Sequence, residues 1–530
     1  MTPRDALEYL WMLAHPHDSA EDHLAALDSV DIEGGDPGLP SVFRVGTLAV
    51  ASIGAAGLAA ARFHRLRGGP EQRVGIDVRR ALAAFRSERY LSVDGGAPFE
   101  LRHPVTGYFE TRDGRWIQLH ANFAHHLCGI LRVLGCGESR DDVARAIRTH
   151  WDGAALDEAL AQAGLCAALV RTPREWAALE QAQAVAGLPL FEIERIGEGD
   201  EGGAGDDGRD SRDGRTPAQR PGARPLEGVR VLDLTRIIAG PVAGRVLAHH
   251  GADVLLVNGP HLPNIAPLVI DNGRGKRSAT LDLREAADRA QLHALVHDTD
   301  VFLQGYRPGA LAAHGFAPEA LARERPGIVC VSICAYSHRG PWRERRGFDS
   351  LVQSASGIVW AESVAAAHGG VMPAAQAAQA AQAAQAAQAA QAAQAAQAAQ
   401  ADASAGKSSA GKSFDTPRPL LCQALDHATG YLAAFAAMVA LARRAQEGGS
   451  WHVRVSLAQT GHWLQTMGML ADGQRAPDLR AQDLADCFEE RDTPFGRVRA
   501  VAPAERLERT PAFYARSSVP IGTDAPQWPA

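Results

Sequence analysis

Asp426 is the residue whose type and position in this sequence are best suited to chemistry. It lies just before a long apolar stretch within residues 420–444, LLCQALDHATGYLAAFAAMVALARR, which has the pattern of a helix. A carboxylate at a helix start receives backbone N–H groups and the positive end of the helix dipole, which keep it ionised and held in place. Such a carboxylate can act as a nucleophile. Aspartate is also a favoured N-cap, so a purely capping role is the alternative.

Two groups of residues near predicted strands could bind a ligand. Arg274, Lys276 and Arg277 form a basic loop before a strand and could meet the phosphates of a nucleotide-like ligand. Tyr306 and Arg307 end another predicted strand, so they should face the crevice at that edge of a sheet. A solvated surface loop is the alternative interpretation for the basic residues.

Several other site patterns are missing from the sequence. His249 and His250 lie on a predicted helix with no Cys or carboxylate at ligand spacing, so we predict no metal site. No Gly-x-Gly-x-x-Gly follows the first strand of the α/β part, which argues against a nicotinamide or flavin cofactor. The letters GKSSAGKS (406–413) resemble a P-loop, but they follow low-complexity sequence rather than a strand. We therefore predict no cofactor.

The stretch that must position these residues is 226–258, LEGVRVLDLTRIIAGPVAGRVLAHHGADVLLVN. The runs VRVLDL (229–234) and ADVLLV (252–257) have the composition of buried parallel strands. Pro241 suits the first turn of the helix between them, because it has no N–H to lose there. A unit of this kind is right-handed and leaves a ligand-binding crevice at the carboxyl ends of its strands. The sequence therefore predicts an α/β fold with a ligand near residues 235–241.

The composition excludes some classes of partner. The chain has 530 residues, of which 46% are hydrophobic and 22% charged, which is ordinary for a globular protein of two to four domains. Its net charge of −7 gives no electrostatic basis for binding nucleic acid. We identify no leader-like start and no apolar run of membrane-spanning length, so we expect no membrane association and a cytoplasmic location. The seven scattered cysteines are expected to be reduced.

Changes in composition divide the chain into six predicted segments. They are a helical segment (1–101), a hairpin followed by helices (102–197), a disordered linker (198–225), a Rossmann-like domain (226–360), an insertion rich in Ala-Ala-Gln triplets (361–417), and a C-terminal segment that carries Asp426 (418–530). We expect the triplets to be disordered or a solvated helix, because a three-residue period makes no stable apolar stripe on a helix.

One structural unit is predicted to occur twice. Residues 44–85 and 420–464 both read as an Ala-rich helix ending in Arg, then Gly-Gly, a β-branched strand and a helix. The two copies differ at the position of Asp426, where the first copy has Gly46 or Thr47 depending on a one-residue gap.

Taken together, the ordered motifs resemble the third family of CoA-transferases, which includes formyl-CoA and carnitine-CoA transferases and α-methylacyl-CoA racemase. The motifs are the stretch from residue 226, NGRGKRSATLDL, the Tyr-Arg-Pro-Gly turn (306–309) and RGFDSLVQSASGI. The resemblance covers about 226–360 and 418–465, and residues 102–195 are similar to the family's smaller domain. It implies a Rossmann-like parallel-sheet CoA-binding domain plus a smaller α+β domain, with two partial family halves fused in an unusual order.

The resemblance also implies an activity. Asp426 matches the nucleophile of the family's transferases, which implies that CoA moves between an acyl-CoA and a small carboxylic acid through an aspartyl intermediate. CoA is then a substrate rather than a cofactor. Ile238 and Ala239 stand at CoA-contacting positions where some members have Gln-Ala. The implied CoA-binding residues are Ile238, Ala239, Arg274, Lys276, Tyr306 and Arg307.

Alternatives to this activity stay open. Racemases of the family use an Asp/His pair for proton transfer, but His427 beside Asp426 does not establish that pair. A non-catalytic homologue is the third possibility, favoured by departures such as Asn258-Gly259, where Glu-Arg is often found. The family forms interlocked dimers, so we expect either a homodimer or a monomer whose two halves pair internally.

Overall fold

The computed structural model describes residues 1–198, 222–394 and 414–529, with side chains up to residue 385 in the second range. Most of the predicted linker and the GKSSAGKS stretch lie outside these residues. The helices are α1 (Pro3–Ala14), α2 (Ala20–Asp28), α3 (Val45–Leu66), α4 (Val78–Ala84), α5 (Ser87–Tyr90), α6 (Ala124–Leu134), α7 (Arg140–His150), α8 (Gly153–Gln162), α9 (Pro173–Ala177), α10 (Glu180–Ala186), α11 (Ala239–His249), α12 (Ala266–Asn272), α13 (Ala286–Val296), α14 (Pro318–Glu324), α15 (Asp349–Ala355), α16 (Ile358–Ala367), α17 (Ala374–Gln394), α18 (Ala424–Glu447) and α19 (Leu457–Thr466).

The strands form one large sheet and three small ones within the described ranges. They are β1 (Val30–Glu33), β2 (Val74–Asp77), β3 (Ser92–Val93), β4 (Gly107–Glu110), β5 (Trp116–Leu119), β6 (Ala167–Leu169), β7 (Phe191–Gly197), β8 (Arg230–Leu234), β9 (Asp253–Asn258), β10 (Lys276–Thr280), β11 (Val301–Gln304), β12 (Val329–Cys334), β13 (Ser450–Ser456), β14 (Phe488–Thr493), β15 (Gly496–Val501) and β16 (Arg506–Leu507). The large sheet has the order β10-β9-β8-β11-β12-β13-β7, and only its edge strand β7 is antiparallel. The predicted α/β class and the parallel βαβ unit are confirmed.

The connection from β8 to α11 has an unusual backbone. Ile237 has a φ of 77°, which a β-branched residue rarely adopts. Such a conformation costs on the order of 1–3 kcal/mol and is concentrated at functional sites. The helix begins two residues later at Ala239, with Pro241 in its first turn as expected. The strained turn thus lies where the sequence predicted a ligand.

Helices α3 and α18 pack against each other in the centre of the protein. Both are long and apolar enough to cross a membrane, contrary to the expectation that no apolar run reaches this length. Their most apolar windows are 94% and 100% buried inside the protein, which is the pattern of core helices. At Gly430, an added Cβ would lie 2.5 Å from the Ala239 carbonyl oxygen, so this glycine lets α18 approach α11 closely.

The predicted repeat is visible in how the two core helices begin. Arg44 and Gln423 are the N-cap residues, so Thr47 and Asp426 are each the third helical residue. A carboxylate from elsewhere in the chain accepts the N–H groups of the second and third residues in both copies: Asp36 serves α3 and Asp349 serves α18. Thr47, and not Gly46, is therefore the counterpart of Asp426.

The Ala-Ala-Gln insertion is partly structured. Its described part forms α17, which packs against α9, α10 and α19. Ala380 is buried and Ala377 packs against the main core. The described part is a helix, which was one of the two expected states, and most of its described side chains are exposed or half-buried. It is not entirely solvated, because small alanine side chains allow close contact without a continuous apolar stripe.

Candidate active site

A cleft of about 360 Å³ lies at the carboxyl ends of β8, β11 and β12. Asp426 lines it from the first turn of α18. The smaller domain closes the cleft on one side through Phe123, His125 and His126 around the start of α6. Arginines stand around it: Arg236, Arg307, Arg343, Arg345 and Arg346. The site therefore combines a carboxyl group, imidazoles and guanidinium groups at the predicted sheet edge.

Asp426 does not cap its own helix. Asp349 accepts the backbone N–H groups of Leu425 and Asp426 at 2.8 and 2.9 Å, and Gln353 donates to the other oxygen of Asp349. The carboxyl group of Asp426 is thus left free of the capping role. Asp349 is the first residue of its own helix, α15, but its side chain accepts the N–H groups at the start of α18.

The expectation that its position keeps Asp426 ionised is wrong, because the surroundings raise its pKa rather than lower it. Burial raises its pKa well above the ordinary value, and the neighbouring carboxylates of Asp349 and Glu88 raise it further. Burial also raises the pKa of Asp349, although its hydrogen bonds with the α18 backbone and Gln353 act in the opposite sense. The helix N–H groups stabilise negative charge on Asp349, so Asp426 loses the effect that the sequence argument assigned to it.

His427, the residue after Asp426, forms a buried pair with a residue of the N-terminal segment. His427 Nε2 lies 3.0 Å from Glu88 Oε2, and both side chains are about 1% exposed. Glu88 belongs to α5 in the N-terminal segment, and Phe85 from the same segment stacks on the His427 ring. His427 therefore contacts Glu88 as a partner, and the N-terminal segment helps to build the surroundings of Asp426.

The structure divides the predicted CoA-binding residues into two groups. Ile238, Ala239, Tyr306 and Arg307 line the cleft together with Asp426.

The other two predicted cations are buried in ion pairs. The Lys276 ammonium donates to Asp233 Oδ2 and to the Pro241 carbonyl oxygen, each at 2.8 Å. The Arg274 guanidinium lies 2.6 Å from Asp271 Oδ1 and 3.2 Å from Glu489 Oε1. Both cations are already neutralised inside the protein, so we remove them from the candidate site.

Sequence reasoning missed most of the cleft's arginines. Arg236 lies two residues after the end of β8, and Arg343 and Arg346 lie in the basic run RERR, so the sequence contained a signal for each of them. His125 and His126 were also missed, because no local pattern connects the smaller domain to the sheet edge. Burial lowers the pKa of His126 to about 4, so its imidazole is neutral near pH 7.

A further cluster contradicts the reasoning that excluded a metal. Glu505 Oε1 lies 2.6 Å from His249 Nε2 and 3.1 Å from His250 Nε2. This carboxylate comes from the C-terminal part of the chain, so spacing along the helix could not reveal it.

Comparison with known proteins agrees with the ordered motifs. The model of CoA-transferase family III matches residues 226–409 and 397–504, which together exceed half of the chain. The chain belongs to CoA-transferase family III. An acyl-CoA transferase of Gibberella moniliformis is 30% identical over 276 residues, which are 48% of this chain and 46% of that protein.

Two further relatives match shorter stretches of this family III chain. A probable fatty acyl-CoA transferase of Mycobacterium tuberculosis is 36% identical over 149 residues, covering 26% of this chain and 38% of the relative. A succinyl-CoA–D-citramalate CoA-transferase of Chloroflexus aurantiacus is 33% identical over 156 residues, covering 27% and 38%. The chain thus spans less than half the length of each of these family III relatives.

Proposed function

We propose that this protein transfers CoA from an acyl-CoA to a small carboxylic acid, with Asp426 as the nucleophile. The observation that carries the proposal is that Asp426, freed from capping by Asp349, lines an arginine-surrounded cleft in a chain of CoA-transferase family III. CoA acts as a substrate in this scheme, and the chain supplies the groups that bind and react with it.

The proposed reaction proceeds through two covalent intermediates. The ionised carboxylate of Asp426 attacks the thioester carbonyl, the C–S bond breaks, and the products are an acyl-aspartyl anhydride and CoA thiolate. The thiolate attacks the aspartyl carbonyl carbon and releases the first acyl group as its carboxylate, leaving an aspartyl-CoA thioester. The acceptor carboxylate then reverses these steps and leaves as the new acyl-CoA. Dividing one transfer into covalent steps is what a carboxylate nucleophile achieves.

The arginines supply the charge that the phosphates of CoA require. Arg307, Arg343 and Arg346 are exposed at the cleft, and Arg236 is partly buried over the Phe123 ring. Arg345 is already occupied, because its guanidinium lies 2.5 Å from Asp157 Oδ1 and stacks on Trp342. Arg343 forms an exposed pair with Glu344 at 3.4 Å, and Arg236 donates to the Pro263 carbonyl oxygen. Guanidinium groups bind phosphate oxygens in a bidentate manner, so Arg307 and Arg346 give the main support for binding of the nucleotide end of CoA.

Arg307→Gln is expected to weaken CoA binding about tenfold, equivalent to about 1.4 kcal/mol, because one exposed phosphate contact is lost. Calorimetric titration with free CoA measures the change. Arg145→Gln is the control, since Arg145 is an exposed arginine on α7 that pairs with Asp142 outside the cleft. Equal affinities in the two variants would show that CoA phosphates do not contact Arg307.

Asp349→Asn is expected to shift the pH profile of kcat/KM toward lower pH. The Asp349 carboxylate raises the pKa of Asp426, and a nucleophile with a raised pKa loses its ionised form as pH falls through that pKa. Removing the neighbouring charge lowers the pKa, so activity persists to lower pH.

Asp36→Asn is the matched control for Asp349→Asn. It changes the equivalent capping carboxylate at α3, which is distant in sequence from Asp426 but makes the same kind of contacts. We expect both variants to lose on the order of 1 kcal/mol of stability. Identical shifts of the pH profile in both would contradict the electrostatic link between Asp349 and Asp426.

One observation favours a second candidate function, proton transfer at Cα of an acyl-CoA. His125 and His126 line the same cleft as Asp426. Burial lowers the pKa of both imidazoles and raises that of Asp426, so two imidazoles that can accept a proton and a carboxyl group with a raised pKa face one cavity. Exchange of the Cα hydrogen for deuterium without CoA transfer would favour this racemase-like function.

The transfer itself is tested with the purified chain and succinyl-CoA or acetyl-CoA as donor. A panel of small carboxylic acids is offered, and new acyl-CoA products are measured by mass spectrometry. We expect at least one acid to become a CoA thioester. No product with any acid, together with no binding of free CoA, would favour the non-catalytic homologue.

We also propose an internally paired monomer in the cytoplasm. The two copies of the repeated unit pack through α3 and α18 within one chain, and Phe43 bridges to Met469 across the same interface. All seven cysteines are free thiols, which suits a reducing compartment.

A further inference from the structure

Three buried side chains converge at the end of α11, outside the cleft. His249 and His250 point their Nε2 atoms at the same oxygen of Glu505, at 2.6 and 3.1 Å. One ligand atom from each residue can be chosen so that all three lie within 4.8 Å of one another. The three side chains are at most 2% exposed, so they are shielded from bulk water.

These contacts are short enough for ion pairs, but they lack the alignment of hydrogen bonds. In the described part of the chain, neither ring nitrogen of His249 or His250 and neither carboxylate oxygen of Glu505 has an aligned hydrogen-bond partner. Buried polar groups in folded proteins nearly always have such partners, so six unaligned atoms in one place require an explanation. Two imidazoles and one carboxyl group crowded together without aligned hydrogen bonds have the composition of a ligand set.

The chemistry of the three side chains suits a cation. An imidazole nitrogen offers a lone pair and a carboxyl group offers oxygen lone pairs, and both groups are ligands for divalent ions. A buried carboxylate without a compensating charge is costly, and a divalent ion would compensate it.

We propose that His249, His250 and Glu505 bind one divalent transition-metal ion of the class represented by Zn²⁺. Two imidazole nitrogens and one carboxylate oxygen are a common ligand set for this ion. Bonds of about 2.0–2.1 Å in tetrahedral geometry place the ligand atoms about 3.3 Å apart. The two His–Glu separations, 2.6 and 3.1 Å, need to widen by less than 1 Å to admit the ion.

The position of the site indicates a structural role. Glu505 directly precedes β16, which pairs with β2 of the N-terminal segment, while His249 and His250 end the first helix of the Rossmann-like domain. An ion here would join the C-terminal segment to that helix. Because an ion that binds only the folded state stabilises it, metal should raise the melting temperature.

The test uses the untagged full chain, stripped with EDTA and passed through gel filtration. Zn²⁺ is titrated in competition with a chromophoric chelator, and the melting temperature is measured with and without the ion. We expect one bound equivalent and a higher melting temperature. A wild-type protein that takes up no Zn²⁺ overturns the proposal without recourse to any variant.

Variants then locate the ion. Glu505→Gln and His249→Asn should each weaken Zn²⁺ binding at least tenfold and abolish the rise in melting temperature. His103→Asn is the control, because His103 lies 3.6 Å from Glu138 in a His–Glu pair outside the cluster. Far-UV circular dichroism checks folding. Binding that survives in both cluster variants but is lost in the control would place the ion elsewhere and contradict the assignment.

Discussion

Asp426→Asn is expected to reduce CoA transfer by on the order of 10⁴-fold or more, which is the scale seen when a nucleophile is removed. The amide is nearly the same size as the carboxyl group but cannot attack a thioester to form an anhydride. The backbone N–H of residue 426 still donates to Asp349, so the start of α18 should keep its structure. Steady-state transfer from acyl-CoA to an accepted carboxylic acid measures the effect.

Thr47→Ser is the matched control for Asp426→Asn. Thr47 holds the equivalent position at the start of α3, and its hydroxyl donates to Asp36 at 2.6 Å, as serine can also do. The control should retain the transfer activity. If Asp426→Asn kept the wild-type rate while CoA still bound, the nucleophile would have to be another group.

Asp271→Asn is expected to destabilise the protein by about 3–5 kcal/mol, the cost of breaking a buried ion pair by removing one partner. Asp271 lies 2.7 Å from the Arg245 guanidinium and 2.6 Å from that of Arg274, and it accepts a hydrogen bond from Ser87 at 2.6 Å. All of these side chains are nearly inaccessible to water. The asparagine variant therefore leaves the buried Arg245 without its carboxylate and leaves Arg274 with Glu489 alone.

Urea unfolding measures this loss, and Asp28→Asn is the control. Asp28 lies 2.6 Å from Arg4, the same separation, but both side chains are exposed. Exposed pairs contribute about 0–1 kcal/mol, so the control should change stability little. Equal effects of the two substitutions would show that burial does not determine the strength of the Asp271 interactions.

The same carboxylate gives a defined pH dependence. The neighbouring guanidinium groups overcome the effect of burial and lower the pKa of Asp271 to about 2. Its unfolded-state pKa is about 4, so its stabilisation is fully present above that pH. The contribution is lost as pH falls from about 4 toward 2, and the wild type should become more similar to Asp271→Asn in that interval.

The predictable part of the molecule is the part encoded by local pattern. The apolar runs on either side of Pro241 predicted the parallel strands and the helix between them, and the carboxyl ends of those strands predicted the position of the crevice. Asp426, Tyr306 and Arg307 were found because each directly follows or begins a recognisable element.

The remaining features depend on contacts between distant segments. Asp349 reaches the start of α18 from another helix, so the charge of Asp426 could not be derived from the sequence around it. Glu505 approaches His249 from the C-terminal segment in the same way. Lys276 has the sequence context of a surface cation, because burial cannot be read from the sequence. Its partner Asp233 lies on β8, which is separated from β10 by strand β9.

Trapping of the covalent intermediate tests the central claim most directly. The protein is incubated with an acyl-CoA, treated with hydroxylamine or borohydride, digested and analysed by mass spectrometry, with Asp426→Asn in parallel. The proposed mechanism predicts a hydroxamate or a reduced side chain on Asp426 that requires acyl-CoA and is absent from the variant. An unmodified Asp426 under conditions of measurable CoA transfer would contradict the aspartyl intermediate.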